Sequence, residues 1–305
     1  MSRADNRLVF GRSSIMRALY QQCELFAPTS YPILLIGETG TGKTWLAKAI
    51  HGLSKVKHGP RVECAIPHLG NLALDQLVGH CKGAFTGASE RYRGRIEQAT
   101  GGSLFLDEVG LASPKVQAIL LTLVEAQTVT PLGSEREIPV RVRVIAATNE
   151  PLAKRVRQGR FREDLYYRLG VLPLILPPLR KRRADIPLLA SHFLATEAAS
   201  EQLPVPVLSP EAIRRLRGAR WPGNLRELRT VMIRALLRAR GRGVIEVGDL
   251  QFDPDPEAPK AKGRKFSPEI VRTALKRAGN NKSRAAAELG CSRKTIQRKT
   301  LLAVE

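Results

Sequence analysis

The amino-acid sequence predicts an α/β fold, a parallel sheet flanked by helices and carrying a phosphate-binding loop, followed by a small all-α helix-turn-helix domain. Three observations predict it. Tyr31-Pro-Ile-Leu-Leu-Ile36 is a short apolar run that leads into Gly37-Glu-Thr-Gly-Thr-Gly-Lys43-Thr44 and then a helical stretch over 45–50. A second apolar run, within Thr100-Gly-Gly-Ser-Leu-Phe-Leu-Asp107-Glu108, ends in two acids. Near the C-terminus, capped helical patterns flank the turn Gly290-Cys291.

The first run reads as a strand buried on both faces, as in a parallel sheet. The octapeptide Gly37–Thr44 matches G-x-x-x-x-G-K-S/T in its strand–loop–helix context. Glycines let backbone N–H groups converge on phosphate oxygens, and the helix N-terminus adds its dipole. Lys43 can reach the β/γ-phosphates and the Thr44 hydroxyl can ligate Mg²⁺. Asp107 would hold Mg²⁺, directly or through water, and Glu108 would polarise the attacking water. An apolar run ending in Asp-Glu is weak alone, because many strands end in a solvated acidic turn; beyond a phosphate loop it is strong. A third strand, Val140-Arg-Val-Arg-Val-Ile-Ala-Ala147, ends in Thr148-Asn149. Asn149 is either a turn residue or a group that orients water or γ-phosphate at the strand end. Together these elements make an ATP- or GTP-hydrolysing domain.

Composition excludes other classes. With 43% apolar residues the chain can build a core, so it is not wholly disordered. Its 305 residues suit about two domains. No run approaches the ~18 apolar residues of a membrane span, and residues 1–10 are too polar for a signal peptide. Cys23, Cys64, Cys81 and Cys291 form no C-x-x-C pair, which argues against zinc and disulfides and for a reducing cytoplasm. A net charge of +22 points to a polyanionic partner, most often nucleic acid; an arginine-rich proteome is the bland alternative. Location favours the first. Residues 260–305 carry 13 basic and 3 acidic side chains, behind an acidic run with prolines at 254, 256 and 259 that reads as a linker.

One loop carries a resemblance. Gly83-Ala84-Phe85-Thr86-Gly87-Ala88 continues from Gly79-His-Cys-Lys-Gly83, where flanking glycines suggest a flexible hairpin with an apolar tip; a generic loop of this kind would tuck Phe85 into a core. The hexapeptide resembles the signature loop of the sigma-54-dependent transcriptional activators, or bacterial enhancer-binding proteins, which are AAA+ ATPases. Gly101–Glu108, 142–149, 159–169, Leu176-Pro-Pro-Leu-Arg180 and Trp221-Pro-Gly-Asn-Leu-Arg-Glu-Leu228 match the same family in the same order. The resemblance implies an AAA+ α/β subdomain over 8–178, a helical lid over 179–250, a linker over 251–265 and a Fis-type helix-turn-helix domain over 266–305. No regulatory domain is expected ahead of the ATPase.

It also implies roles. ATP would be held by Gly37, Glu38, Thr39, Gly40, Thr41, Gly42, Lys43 and Thr44. The strand segment Ala99, Thr100, Gly101, Gly102, Ser103, Leu104, Phe105 and Leu106 would join them, ahead of Asp107 and Glu108. Asn149 looks like a first sensor and Arg226 like a second, from the lid. Arg162 and Arg168 resemble arginine fingers that enter a neighbouring subunit's site, although Glu163 and Asp164 between them also suit a salt-bridged face. Gly83–Ala88 would contact sigma-54 in the RNA polymerase holoenzyme. A hexameric ring, dimeric engagement of DNA and a cytoplasmic, nucleoid-associated protein without membrane contact are implied with them. Four departures stand out. Thr44 replaces a common Glu; Glu63 replaces Asn and could bring a second carboxylate near Glu108; Thr130 replaces Arg; and Gly170 replaces Asn.

In the C-terminal domain, Ser267 caps a helix with Pro268 at its first position, Gly279-Asn280-Asn281 ends it, 282–289 form a second helix and 292–299 a third. This is the helix-turn-helix order. Ser292, Arg293, Lys294, Thr295, Gln297 and Arg298 would face double-stranded DNA in the major groove, with Lys282 and Arg284 on phosphates. Two other classes remain: a nucleotide-sensing DNA-binding regulator acting without sigma-54, and a DNA-remodelling AAA+ enzyme. Intact Lys43, Asp107, Glu108 and the signature loop argue against the first, which Glu63 keeps open; Gly83–Ala88 and the C-terminal helix-turn-helix argue against the second.

Overall fold

The structure, a computed structural model, describes residues 11–67, 73–253, 268–288 and 296. Two compact units divide at Phe252 and Asp253. In the first, α1 (Ser14–Phe26) leads to β1 (Ile33–Ile36), α2 (Lys43–Leu53), β2 (Arg61–Ala65), α3 (Ala73–Val78), β3 (Ser103–Asp107) and α4 (Pro114–Ala126). Then come β4 (Arg143–Thr148), α5 (Leu152–Arg157), α6 (Glu163–Leu169) and β5 (Leu172–Ile175). The five strands form one parallel sheet in the order β2-β3-β4-β1-β5.

Successive strand residues point to opposite faces, and both faces are covered. Leu34, Leu104, Leu106, Val144 and Ala146 enter one core with Val116 and Leu120 of α4 and Leu165 of α6. Ile33, Leu35, Phe105, Ile145, Ala147 and Leu174 enter the other with Leu19 of α1 and Leu46 and Ile50 of α2. Two-sided burial is why these strands read as unbroken apolar runs. Because β4 lies between β1 and β3, with Ile36 opposite Thr148 and Leu106 opposite Ala146, the C-terminal ends of all three meet at one edge. The phosphate loop, the Asp107-Glu108 pair and Asn149 emerge there.

A third core belongs to helices α7 (Ile186–Ser200), α8 (Pro210–Gly218) and α9 (Asn224–Arg238), and gathers Leu179, Leu189, Leu194, Leu216, Met232 and Leu236. Trp221 is buried in it and donates its indole N–H to Leu216 O at 2.9 Å. Ser209 caps α8, its hydroxyl accepting from Ala212 N at 3.1 Å, with Pro210 at the first helical position. Strands β2 and β5 have no counterpart in the sequence reading. β2 lies at one sheet edge with a charged, half-exposed surface, and β5 at the other edge holds Pro173, which an edge tolerates.

The second unit, taken by itself, contains α10 (Pro268–Arg277) and α11 (Lys282–Glu288). Val271, Ala274 and Leu275 pack with Ala285, Ala286 and Ile296. Gly279 and Asn280 turn with positive φ, and Asn281 Oδ1 accepts the N–H groups of Ser283 and Arg284 at 3.0 and 3.2 Å, capping α11. Most of the linker lies outside the described residues. No helix among them is long and apolar enough to cross a membrane. Burial pushes the Cys23 and Cys64 thiols up to about 12 and about 11, which keeps both unreactive.

Candidate active site

Gly40 (φ 78°) and Gly42 (φ 106°) take the left-handed conformation that lets the loop curl at the start of α2. Lys43 is buried, donates from Nζ to Gly37 O at 3.0 Å, and lies 3.6 Å from Glu108 Oε1. Glu108 also has positive φ (55°), a strained backbone for a residue with a Cβ. Its own N–H donates to Asp107 Oδ1 at 3.0 Å, and its Oε2 accepts Asn149 N–H at 3.2 Å. Asn149 Nδ2 donates to Thr39 Oγ1 at 3.0 Å, tying the end of β4 to the loop. Lys43, Asp107, Glu108 and Asn149 are thus one contiguous cluster.

A cavity of about 420 Å³ opens beside it. Residues 39–44, Asp107, Arg182 and Arg226 give it polar and cationic lining, and Met16, Leu19, Leu189 and Phe193 apolar lining. Cationic, polar and apolar groups lining one cavity suit a nucleotide's phosphates and base. Arg182 is the sharpest indication. It is 3% exposed, its Nε has no partner in the structure, and burial lowers its pKa to about 10. Asp185 offsets part of that charge and Thr41 O takes one Nη2–H, and a phosphate in the cavity would offset the rest. Thr44 and Asp107 line the same wall and offer oxygens for a hard cation. The described residues hold no cluster of three or more His, Cys, Asp or Glu, so such a cation needs phosphate and water oxygens to complete its shell.

The structure narrows the expected contact set. Ser103, Leu104, Phe105 and Leu106 are buried in β3; the last three fill the two cores, and Ser103 Oγ lies 2.6 Å from His51 Nδ1. Ala99, Thr100, Gly101 and Gly102 form the turn before β3, where Gly101 N bonds Arg141 O and Gly102 N bonds Ala99 O. At ~3.3 Å per residue that end of β3 stands about 13 Å from Asp107. Of this segment the cavity receives Asp107. Glu38 also turns away: Arg180 grips its carboxylate at 2.5 and 2.7 Å and holds it below the usual carboxylate range. Gly37 contributes a carbonyl to Lys43.

Glu63 pairs with Arg61, while Glu108 is engaged by Lys43 and Asn149. Its register partner is Phe105, two residues short of Asp107, so the second carboxylate beside Glu108 is absent here. With its charge already offset, Glu63→Asn changes nucleotide turnover by less than about threefold, an exposed pair contributing on the order of 1 kcal/mol or less. Steady-state turnover checks this.

Gly79–His80 pairs antiparallel with Tyr92–Arg93, making a hairpin whose tip holds Gly83, Ala84, Phe85, Thr86, Gly87 and Ala88. Phe85 is 45% exposed and meets the His80 ring edge-on at 4.9 Å, so it is presented at the surface. Gly83 N–H to Ala88 O at 2.8 Å closes the tip. Arg162 and Arg168 lie at opposite ends of α6, outside the cavity of their own chain, paired with Asp164 and Glu125. In the second unit Lys282 is half-buried and Arg284 exposed. Ser292, Arg293, Lys294, Thr295, Gln297 and Arg298 lie outside the described residues.

Sequence reasoning missed Met16, Leu19, Arg182 and Phe193 at the cavity, and Asn224 behind the loop. Asn224 alone had a readable signal, a polar residue inside Trp221–Leu228.

Residues 9–175 match the family model described as the sigma-54 interaction domain, 180–265 that of the AAA+ ATPase lid domain, and 264–300 that of the bacterial regulatory protein, Fis family. Among curated proteins, the transcriptional regulatory protein ZraR of Escherichia coli is 41% identical over 293 residues, covering 94% of this chain and 66% of ZraR. The DNA-binding transcriptional activator HyfR of Escherichia coli is 47% identical over 236 residues, 76% of this chain and 35% of HyfR. The crystal structure of NtrX from Brucella abortus in complex with ADP superposes with a TM-score of 0.74 at 30% identity, covering 97% of this chain and 70% of that one.

Proposed function

Because the chain belongs to the sigma-54-dependent transcriptional activators, a family of AAA+ ATPases, we propose that it hydrolyses ATP to remodel sigma-54 RNA polymerase holoenzyme at a promoter. The observation that carries this is the presence, in one unit, of the Lys43–Asp107–Glu108–Asn149 cluster and a surface-presented Phe85 hairpin. A replication or repair enzyme has no use for that hairpin. A nucleotide sensor has no use for a general base.

In this mechanism the loop amides and Lys43 take the β/γ-phosphates, and Arg226 reaches them from the lid. Thr44 and Asp107 would hold Mg²⁺, which neutralises phosphate charge. Phosphate oxygens compete with Glu108 for Lys43, freeing the carboxylate. Glu108 then accepts a proton from water as its oxygen bonds to Pγ and the bond from Pγ to the β-bridging oxygen breaks, leaving ADP and phosphate. Asn149, bonded to both Glu108 and Thr39, links the base to the loop and aligns the water. Arg162 and Arg168 complete the neighbour's site, which requires a head-to-tail ring, a hexamer in this family's pattern. Tyr167, adjacent to Arg168 in α6, and Val171 and Ile175 of the following segment are exposed, which favours such an interface. The second unit binds double-stranded DNA upstream as a dimer, through Lys282, Arg284, Ser292, Arg293, Lys294, Thr295, Gln297 and Arg298. This reading places the protein in the cytoplasm, on the nucleoid.

The test mixes purified protein, sigma-54 holoenzyme and a sigma-54 promoter and scores ATP-dependent open complexes. Phe85→Ala lowers them at least about 30-fold, as expected for losing an aromatic anchor, and keeps ATP turnover within about threefold of wild type. Equal opening by both proteins, or none by wild type at high concentration, contradicts the proposal.

A further inference from the structure

Three successive carbonyls of the phosphate loop each accept one hydrogen bond from the lid. Asn224 Nδ2 donates to Thr39 O at 3.0 Å, Leu225 N–H to Gly40 O at 2.9 Å, and Arg182 Nη2 to Thr41 O at 2.8 Å. Contact is close: a Cβ on Gly40 would stand 2.3 Å from Gly223 O. Asn224 is fully buried, with φ of 52°. Its Oδ1 accepts Leu179 N–H at 2.8 Å, at the entry to the lid, and its Nδ2 also reaches Glu38 Oε2 at 3.2 Å.

From this we infer that the lid is a working part of the phosphate loop and that Asn224 is the positioning residue that registers the two. A peptide unit is planar, so fixing its carbonyl fixes the direction of the N–H one residue on. The clamped carbonyls of Thr39 and Thr41 belong to the units that carry the Gly40 and Gly42 N–H groups. The middle unit carries Thr41 N–H, which closes the turn onto Glu38 O at 3.3 Å. Bonds accepted by a carbonyl also polarise its N–H toward an anion. A phosphate on the loop therefore strengthens the lid's grip, and a lid pulled away weakens the hold on phosphate by the same factor. Glu38 serves this contact as a counter-charge, held between Arg180 and Asn224. The inference rests on the ATPase reading and adds a route by which lid position sets nucleotide affinity.

Asn224→Asp keeps the acceptor for Leu179 N–H but sets a carboxylate against Thr39 O and Glu38. It raises KM for ATP at least about tenfold, as losing hydrogen bonds and gaining a like charge does, and leaves kcat within about threefold. Adding Glu38→Gln, whose amide donates to the new carboxylate, removes the like charge but does not restore the donor to Thr39 O, so KM falls at least about threefold from the single variant and stays above wild type. A merely structural role would instead lower thermal stability and kcat at unchanged KM. That outcome, or a failed rescue, overturns the inference. Hydrogen exchange on the unsubstituted protein needs no variant: saturating ADP slows exchange of the Leu179 and Leu225 N–H groups at least about fivefold. ADP binding with both unmoved overturns the inference alone, whereas wild-type protein that neither binds nor hydrolyses ATP overturns the ATPase reading beneath it.

Discussion

Arg162→Ala lowers ATP turnover on the order of 10³-fold or more while each subunit still binds ATP, the effect of removing an arginine finger. Arg162 precedes α6, and its backbone is fixed from behind: its N–H donates to Gln117 Oε1 at 2.8 Å. Gln117 is buried, and its Nε2 donates to Ala112 O and Arg160 O at 2.8 and 3.1 Å. The base of the proposed finger is therefore held while its guanidinium rests on Asp164 at the surface. Solvent screens an exposed pair of this kind, so a neighbour's phosphates outcompete it. Since the side chain is exposed and outside its own cavity, the substitution leaves the thermal unfolding midpoint essentially unchanged. Mixing is the decisive measurement. Lys43→Ala subunits keep the finger and Arg162→Ala subunits keep the loop, so a mixture of the two inactive proteins recovers turnover. Absence of recovery, or turnover per subunit independent of concentration, contradicts action between subunits.

Legibility tracked how locally each requirement is encoded. Positive φ at Gly40 and Gly42 needs glycine, so the loop declares itself in one octapeptide. The Asp107-Glu108 pair is legible because an apolar run ends in two acids beyond that loop, yet a sequence match does not separate a strand's buried length from its exposed end, so the expected contact set takes in residues 99–106 with Asp107. Arg182 shows the opposite failure. It sits in Arg180-Lys-Arg-Arg183, four cations alike in sequence; packing alone buries it beneath the loop and leaves Arg180 outside on Glu38. Glu63 was misplaced by register, a tertiary quantity, since a partner two residues further along β3 would have set it beside Asp107. The cavity's apolar lining joins α1 to α7, whose nearest ends, Phe26 and Ile186, are 160 residues apart, and no local pattern reports that meeting.

Glu108→Gln lowers turnover by about 10²–10⁴-fold, the contribution of a general base, and does not weaken ATP binding. The substitution is close to isosteric and preserves the geometry that Glu108 already has. Its left-handed backbone is unchanged, and an amide oxygen still accepts Asn149 N–H. What disappears is the proton acceptor and the charge that now holds Lys43 at 3.6 Å. Relieved of that carboxylate, Lys43 turns to phosphate without competition, so the dissociation constant for ATP stays equal or falls while kcat collapses. Single-turnover hydrolysis with direct binding separates the two, and the divergence identifies the role, because general disruption of the site would lower both together. A loss of only a few-fold would assign the base elsewhere. Among the carboxylates lining the cavity that leaves Asp107, since Glu197 is occupied by Arg229 at 2.7 Å. Asp107 then could not also serve as the Mg²⁺ ligand, so Asp107→Asn distinguishes the cases. As a metal ligand its loss raises the Mg²⁺ concentration needed for half-maximal turnover; as a base its loss lowers kcat at every Mg²⁺ concentration.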